Sequence, residues 1–260
     1  MRIAMGVEYD GRRFCGWQIQ EGGVVTVQAS LEAGLSTVAD EPVKVICAGR
    51  TDTGVHAMGQ VVHFDTNAVR SPRSWVFGAN ANMDKAVSVQ WAQEVREDFH
   101  ARFSARARRY RYVIVNRPVR PTFAAGRVSW DHRPLDATRM AAAARHLIGE
   151  HDFNAYRAVA CQAHSPVRTV TRLDVTRHDD LVIIDIEANA FLHHMVRNIA
   201  GVLMGIGAGE RDVDWSRAVL ETRDRTLGGV TAPPGGLYLM DVTYPDEFGI
   251  PRLSNTRLVW

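Results

Sequence analysis

Lysine and cysteine are both scarce in this chain of 260 residues. Cys15, Cys47 and Cys161 are its only cysteines, an odd number without the paired spacing of a zinc site or a disulfide framework. No long hydrophobic run is present either: the longest, residues 199–209, is too short to span a bilayer, and the residues after Met1 do not resemble a signal peptide. We therefore expect a soluble, cytoplasmic, globular protein without a membrane contact.

The scarcity of lysine leaves arginine as the main cation. Lys44 and Lys85 are the only lysines among the 31 basic residues. Residues 96–127 contain many arginines but only Glu97 and Asp98 as acids. Because the guanidinium fork suits phosphate, this stretch indicates a basic surface for a polyanion. The alternative is an arginine-biased composition on a solvated face.

Hydrophobic periodicity predicts strands separated by helices. Alternation of apolar and polar residues predicts strands at 3–9, 43–48, 60–65, 87–94, 110–116, 172–177, 181–188 and 237–244. Helical spacing predicts helices after Thr26 and after Asp136, and over 71–79 and 193–206. Each half then follows the order strand, helix, two strands, helix, strand. We predict an α+β fold of two ferredoxin-like (RRM-like) halves, residues 1–100 and 101–260, joined edge to edge.

The segment GRTDTGVHA, residues 49–57, follows one predicted strand and precedes another. It is therefore predicted to be a loop at a strand end, in which glycines flank a lone carboxylate, Asp52, and let the backbone turn sharply. Arg50 supplies a nearby positive charge. An Asx-turn that satisfies Asp52 locally is the alternative.

The segment ARRYRY, residues 107–112, lies on a predicted strand. Alternation places Tyr110 and Tyr112 on one face, and Arg109 and Arg111 on the other. Rings beside cations suit RNA, because an extruded base can stack on a ring while guanidiniums hold phosphates. We therefore expect Arg108, Arg109 and Arg111 to support RNA binding. A half-buried strand with core tyrosines is the alternative.

A third segment, NAFLHHMVRN, spans residues 189–198. Met195 and Ile199 mark the buried side of the predicted helix, so Arg197 points away from the core and can meet a partner. A solvated arginine is the alternative.

Together these segments resemble the tRNA pseudouridine synthase A family. GRTDTGVHA is similar to its catalytic loop, ARRYRY to its base-stacking strand, and FLHHMVRNIAG at 191–201 to its arginine helix. YDGRRFCGWQIQ at 9–20 and GGLYL at 235–239 also fit, so that the resemblance covers nearly the whole chain.

The resemblance implies a cofactor-free and metal-free isomerase that converts uridine to pseudouridine at positions 38 to 40 in the anticodon arm of tRNA, and that acts as a homodimer. It implies the pseudouridine synthase fold, with an extended and mainly antiparallel sheet shared by both halves. Asp52 would be the catalytic carboxylate, paired with Arg197. Tyr110 would stack on the base, Arg50 would help to displace the nucleotide, and residues 235–239 would wall the base pocket.

Two other functions fit parts of the sequence. A non-catalytic RNA-binding protein with two RRM-like halves would need the tyrosines and arginines but not the Asp52 loop. A metal-dependent hydrolase could use the 10 histidines, although their spacing does not match metal ligands. The residues leave open whether Asp52 would attack the base, attack the sugar or remove a proton.

Overall fold

The computed structural model describes residues 1–252, which divide into two compact units. Unit 1 comprises Met1–Arg106 together with the described residues from Tyr238 onward, and unit 2 comprises Ala107–Leu237. The boundary lies close to the division expected at residue 100. The last part of the chain differs from that expectation, because it groups with unit 1.

Unit 1 is a sheet covered by two helices. Its elements are β1 (Arg2–Tyr9), α1 (Val27–Ala39), β2 (Ile46–Cys47), β3 (His56–Asp65), α2 (Pro72–Ala81) and β4 (Val87–Val95). β1 pairs antiparallel with both β3 and β4, and β2 pairs antiparallel with β3. The resulting order β4-β1-β3-β2 is the ferredoxin-like order that the sequence predicts.

Side-chain caps explain where the two helices of unit 1 begin. The Thr26 hydroxyl accepts a hydrogen bond from the Ala29 N–H, and the Ser71 hydroxyl accepts one from the Ser74 N–H. Pro72 then occupies the first turn of α2, where a missing N–H costs nothing. α1 buries Leu31 and Leu35, which lie on one face of the helix.

Unit 2 contains a second antiparallel sheet. Its elements are β5 (Ala107–Asn116), β6 (Ser129–Asp131), α3 (Ala137–Ala144), β7 (Gly149–Asp152), β8 (Val167–His178), β9 (Leu181–Ala188), α4 (Met195–Gly207) and α5 (Trp215–Thr222). β9 pairs antiparallel with β5 and β8, β7 pairs antiparallel with β8, and β6 runs parallel to β5. The predicted α+β class with mainly antiparallel strands is confirmed in both units.

The strand β10 (Leu237–Thr243) follows unit 2 in the chain. Tyr238 and Leu239 pair in parallel with His56 and Ala57 at the start of β3. β10 therefore connects the segment GGLYL to the strand that begins directly after Asp52 and its loop. The alternation in the sequence predicts β10 as a strand, but it does not predict this pairing.

None of the helices formed by residues 1–252 combines the length and the apolar character needed to cross a membrane.

Candidate active site

Asp52 lies in the loop that joins β2 to β3. The Val55 N–H donates to the Asp52 carbonyl at 3.1 Å, which closes a turn, and Gly54 adopts a φ of 78° inside that turn. Thr51 and Val55 are buried on either side, whereas Asp52 is half-buried. The turn therefore restrains the backbone of Asp52, and the residue stays half-buried in a loop at a strand end, where the sequence predicts it.

Gln60, a fully buried residue on β3, fixes the beginning of this loop. Its side-chain amide donates to the Gly49 carbonyl at 2.6 Å and accepts from the Gly49 N–H at 3.3 Å. The amide also donates to the Tyr9 hydroxyl, which in turn bonds to the Thr51 hydroxyl at 2.8 Å. A buried amide with all these partners is satisfied and rigid. The sequence pattern predicts only a strand at Gln60, although a glutamine on an apolar strand face is a signal of such a role.

The segment YDGRRFCGWQIQ packs against the same loop. The Trp17 N–H donates to the Thr51 carbonyl at 3.0 Å. Gly16 adopts a φ of 83°, and a Cβ at this position would lie 2.9 Å from the Thr51 carbonyl oxygen. Only glycine combines this backbone conformation with so close an approach. The amino-terminal motif therefore packs against the Asp52 loop and restrains its backbone.

The first residues of β3 are held by the same motif. The buried His56 accepts a hydrogen bond from the Gly11 N–H at its Nδ1 atom, and its ring stacks on Tyr238 at a centroid distance of 4.7 Å. Burial disfavours the charged Asp10 carboxylate, but hydrogen bonds from the Arg12 side chain and backbone outweigh burial and lower the pKa of Asp10. A charged Asp10 thus fixes the direction of the Arg12 side chain.

Arg50 is exposed at the start of the loop, two residues before Asp52. A long, exposed guanidinium can reach a bound polyanion without rearrangement of the backbone. Both predicted residues of unit 1 are therefore part of one short loop.

In unit 2, Tyr110 lies on β5 and is 8% exposed. The Phe191 ring meets it at a centroid distance of 5.0 Å and an interplanar angle of 81°. Such an edge-to-face contact fixes the plane of the Tyr110 ring. Tyr112 is buried on the same face of the strand, which confirms the predicted alternation.

Arg197 lies in the first turn of α4 and is half-buried. Its Nε atom donates to the Ala232 carbonyl at 2.8 Å, and the Ala232 N–H donates to the Arg197 carbonyl at 3.1 Å. The side chain is thus directed by the segment that precedes β10. The predicted helix begins near His193, whereas α4 begins at Met195 after His194 in a left-handed conformation.

Two of the arginines expected to meet phosphates have partners within the fold. Arg111 donates through Nε and Nη2 to the Asp185 carboxylate at 2.8 and 2.7 Å, and each side chain is 13% exposed. Arg108 is buried and donates to the Asn189 carbonyl at 2.9 Å. The Arg111 contact joins β5 to β9, and the Arg108 contact joins β5 to the residue that follows β9. Both arginines therefore have a structural role.

The Arg111→Gln variant should lose about 2 kcal/mol of unfolding free energy, because Asp185 is left half-buried without its charged partner. Urea denaturation followed by circular dichroism measures this loss. The matched control is Arg172→Gln, which breaks the exposed pair of Arg172 with Asp174 and should cost under about 0.5 kcal/mol. Equal small losses, together with a flatter salt dependence of RNA binding in Arg111→Gln, would instead favour the phosphate-binding role.

Comparisons with known proteins agree with the resemblance. A family model described as tRNA pseudouridine synthase matches residues 5–104 and 143–245. The chain is 61% identical over 260 residues to tRNA pseudouridine synthase A of Nitrosococcus oceani, with 100% of both chains covered. It is 60% identical over 251 residues to tRNA pseudouridine synthase A of Pseudomonas aeruginosa, with 96% of this chain and 88% of the relative covered.

A solved structure, titled "Crystal Structure of a Cbf5-Nop10-Gar1 Complex", aligns with 78% of this chain and 45% of that chain. The identity is 11% and the TM-score is 0.35, a value too low to bear on the fold.

Proposed function

The chain belongs to the tRNA pseudouridine synthase family, and on that premise we propose that Asp52 is the carboxylate with which it isomerises uridine to pseudouridine in tRNA. One observation carries the assignment. Asp52 is the half-buried acid of a turn whose neighbours, Thr51 and Val55, are buried and hydrogen-bonded. A carboxylate on so fixed a backbone can be aimed at one atom of a substrate.

The reaction defines what such a site must supply. The bond from the base nitrogen to the ribose breaks, the base rotates, and a carbon–carbon bond forms in its place. Substrate and product have the same atoms, so that no external group is consumed. The enzyme must extrude the nucleotide from its stack, provide a group at the linkage between sugar and base, and remove a proton from the base carbon. We assign the second of these tasks to Asp52.

The proposal gives Tyr110 and Arg197 contacts with the extruded nucleotide. The Tyr110 ring, its plane fixed by Phe191, is suited to stack on a base. Arg197, directed by its bonds with Ala232, supplies a positive charge to the carboxylate and phosphate groups of the site.

Arg50 and the segment GGLYL have supporting roles in the proposal. Arg50, exposed at the start of the Asp52 loop, helps to displace the target nucleotide from its helix. Residues 235–239 wall the base pocket. Leu239 is fully buried and pairs with Ala57 of β3, and this pairing restrains the segment.

We also propose that the substrate uridines are positions 38 to 40 of the anticodon arm, that the enzyme is a homodimer, and that it works in the cytoplasm. The similarity to tRNA pseudouridine synthase A relatives along the whole chain supports these assignments.

Mapping of pseudouridine in an unmodified tRNA transcript tests the proposed substrate. We expect new pseudouridine at positions 38 to 40 after incubation with the purified chain. A transcript with cytidine at these positions is the control and should gain none. Modification elsewhere would contradict the anticodon assignment, and an unmodified tRNA bound tightly by the protein would favour the non-catalytic RNA-binding alternative.

A further inference from the structure

The segment GGVTAPPGG, residues 228–236, forms a strap that lies directly on α4. A Cβ atom at Gly201 of α4 would overlap the Val230 carbonyl oxygen of the strap. A Cβ atom at Gly229 would in turn approach Val202. The backbones of helix and strap therefore touch without a side chain between them, and a small shift of the strap changes the environment of the first turns of α4.

The strap directs Arg197 through two hydrogen bonds. The Arg197 Nε atom donates to the Ala232 carbonyl at 2.8 Å, and the Ala232 N–H donates to the Arg197 carbonyl at 3.1 Å. Both the backbone and the guanidinium of Arg197 are thus tied to one residue. The direction of the guanidinium depends on where the strap places Ala232.

Thr231, the neighbour of Ala232, is held by a part-buried polar network. Its hydroxyl donates to the Asn198 Oδ1 atom at 2.7 Å. Arg225 Nη2 donates to the same Oδ1 at 3.1 Å and to the Thr231 hydroxyl oxygen at 3.0 Å. Asn198 is 2% exposed and donates to the Tyr156 carbonyl at 2.8 Å. Each of these three side chains contacts the other two.

A second attachment fixes the far end of the strap. The Tyr112 hydroxyl donates to the Pro233 carbonyl at 2.8 Å and bonds to the Ser129 hydroxyl. Burial raises the pKa of Tyr112, and the hydrogen bond with Ser129 opposes this effect only in part. The hydroxyl therefore stays neutral and keeps its proton to donate. Ala232 lies between this attachment and the Thr231 network.

We infer that Arg225 and Thr231 are positioning residues that aim Arg197 by holding the strap against Asn198. The inference rests on the proposed role of Arg197 in binding the nucleotide. Neither residue needs to touch the substrate. Arg225 suits the task because the two N–H groups of Nη2 are fixed in the guanidinium plane and meet the two oxygens, whereas the donors of a lysine ammonium rotate freely and lack this fixed plane.

The decisive experiment compares three single variants, one double variant and a matched control by single-turnover tritium release from 5-tritiated uridine with saturating enzyme. Thr231→Val removes the hydroxyl and keeps the shape of the side chain, and should lower the rate about tenfold, the effect of one lost hydrogen bond. Thr231→Ser restores the hydroxyl and should return the rate to within about twofold of the wild type. Arg225→Lys should also lose about tenfold, with the dissociation constant for tRNA changed less than about threefold.

The double variant and a matched control complete the test. The double variant Thr231→Val with Arg225→Lys should keep at least about half the rate of the slower single variant, because both changes break the same network. Thr37→Val removes an exposed hydroxyl that donates to the Ala33 carbonyl within α1 and should keep the wild-type rate. A lower melting temperature with unchanged rates in Thr231→Val and Arg225→Lys would overturn the inference and leave a purely structural network.

Arg197→Lys separates the inference from the proposal on which it rests. If Arg197→Lys loses on the order of 10²-fold in rate while Thr231→Val loses nothing, the positioning inference fails and the role of Arg197 stands. If Arg197→Lys keeps the wild-type rate, the proposed role of Arg197 fails, and the inference fails with it.

Discussion

Asp52→Asn should abolish isomerisation while tRNA binding persists. The change replaces one carboxylate oxygen by an amide nitrogen, so that the turn closed by the Val55 N–H can remain as it is. The rate constant for tritium release should fall on the order of 10⁴-fold or more, as it does when an essential catalytic group is removed. The dissociation constant for tRNA, measured by filter binding, should change less than about threefold, because many phosphate contacts share the binding energy.

Two further variants make this expectation specific. Asp52→Ala should be equally inactive, and it excludes residual activity from deamidation of an introduced asparagine. Asp40→Asn is the matched control: Asp40 ends α1 in the left-handed conformation, which asparagine also adopts, and this variant should keep the wild-type rate. An Asp52→Asn or Asp52→Ala enzyme with more than about a tenth of the wild-type rate would refute the assignment of Asp52.

Tyr110→Leu should lower kcat/KM by on the order of 10²-fold. Stacking of a base on an aromatic ring contributes about 1–3 kcal/mol, and leucine has no ring face to offer. Tyr110→Phe keeps the ring and its edge contact with Phe191, and should bind tRNA like the wild type. Steady-state kinetics and filter binding on both variants separate the contribution of the ring from that of the hydroxyl.

The two variants at this position have different consequences for the proposal. A normal dissociation constant with a slower chemical step in Tyr110→Phe would assign the hydroxyl to removal of the proton from the base carbon. Unaltered kcat/KM in Tyr110→Leu would remove the stacking role altogether. Melting temperatures control for stability, because leucine also loses the packing of Tyr110 on Phe191.

The elements that the sequence predicts best are those with a cap and a long apolar stripe. Thr26 and Asp136 cap α1 and α3 as the sequence predicts, because cap and stripe are both local signals. The strands β6 and β7 are too short for alternation to identify them. The sequence does not predict α5 either, because Asp214 before it makes no side-chain cap and the helix is only 8 residues long.

For the candidate site, motifs locate the residues but not what holds them. GRTDTGVHA places Asp52 in a loop, and the structure adds Gln60 and Trp17 as its supports. The role of Arg225 could not be predicted, because its bonds reach Asn198, which lies 27 residues earlier in the chain. Such a contact exists only after the strap has folded over α4. The partner of Arg111 is equally non-local, since it depends on the register between β5 and β9.

The close approach of Gly16 to Thr51 has an energetic consequence for substrate capture. Because no side chain separates the two backbones, the loop cannot shift without moving the segment that contains Trp17. The conformational entropy of the Asp52 backbone is therefore lost once, when the protein folds, and not again at each encounter with a nucleotide. In each catalytic cycle, conformational entropy is then lost mainly by the RNA.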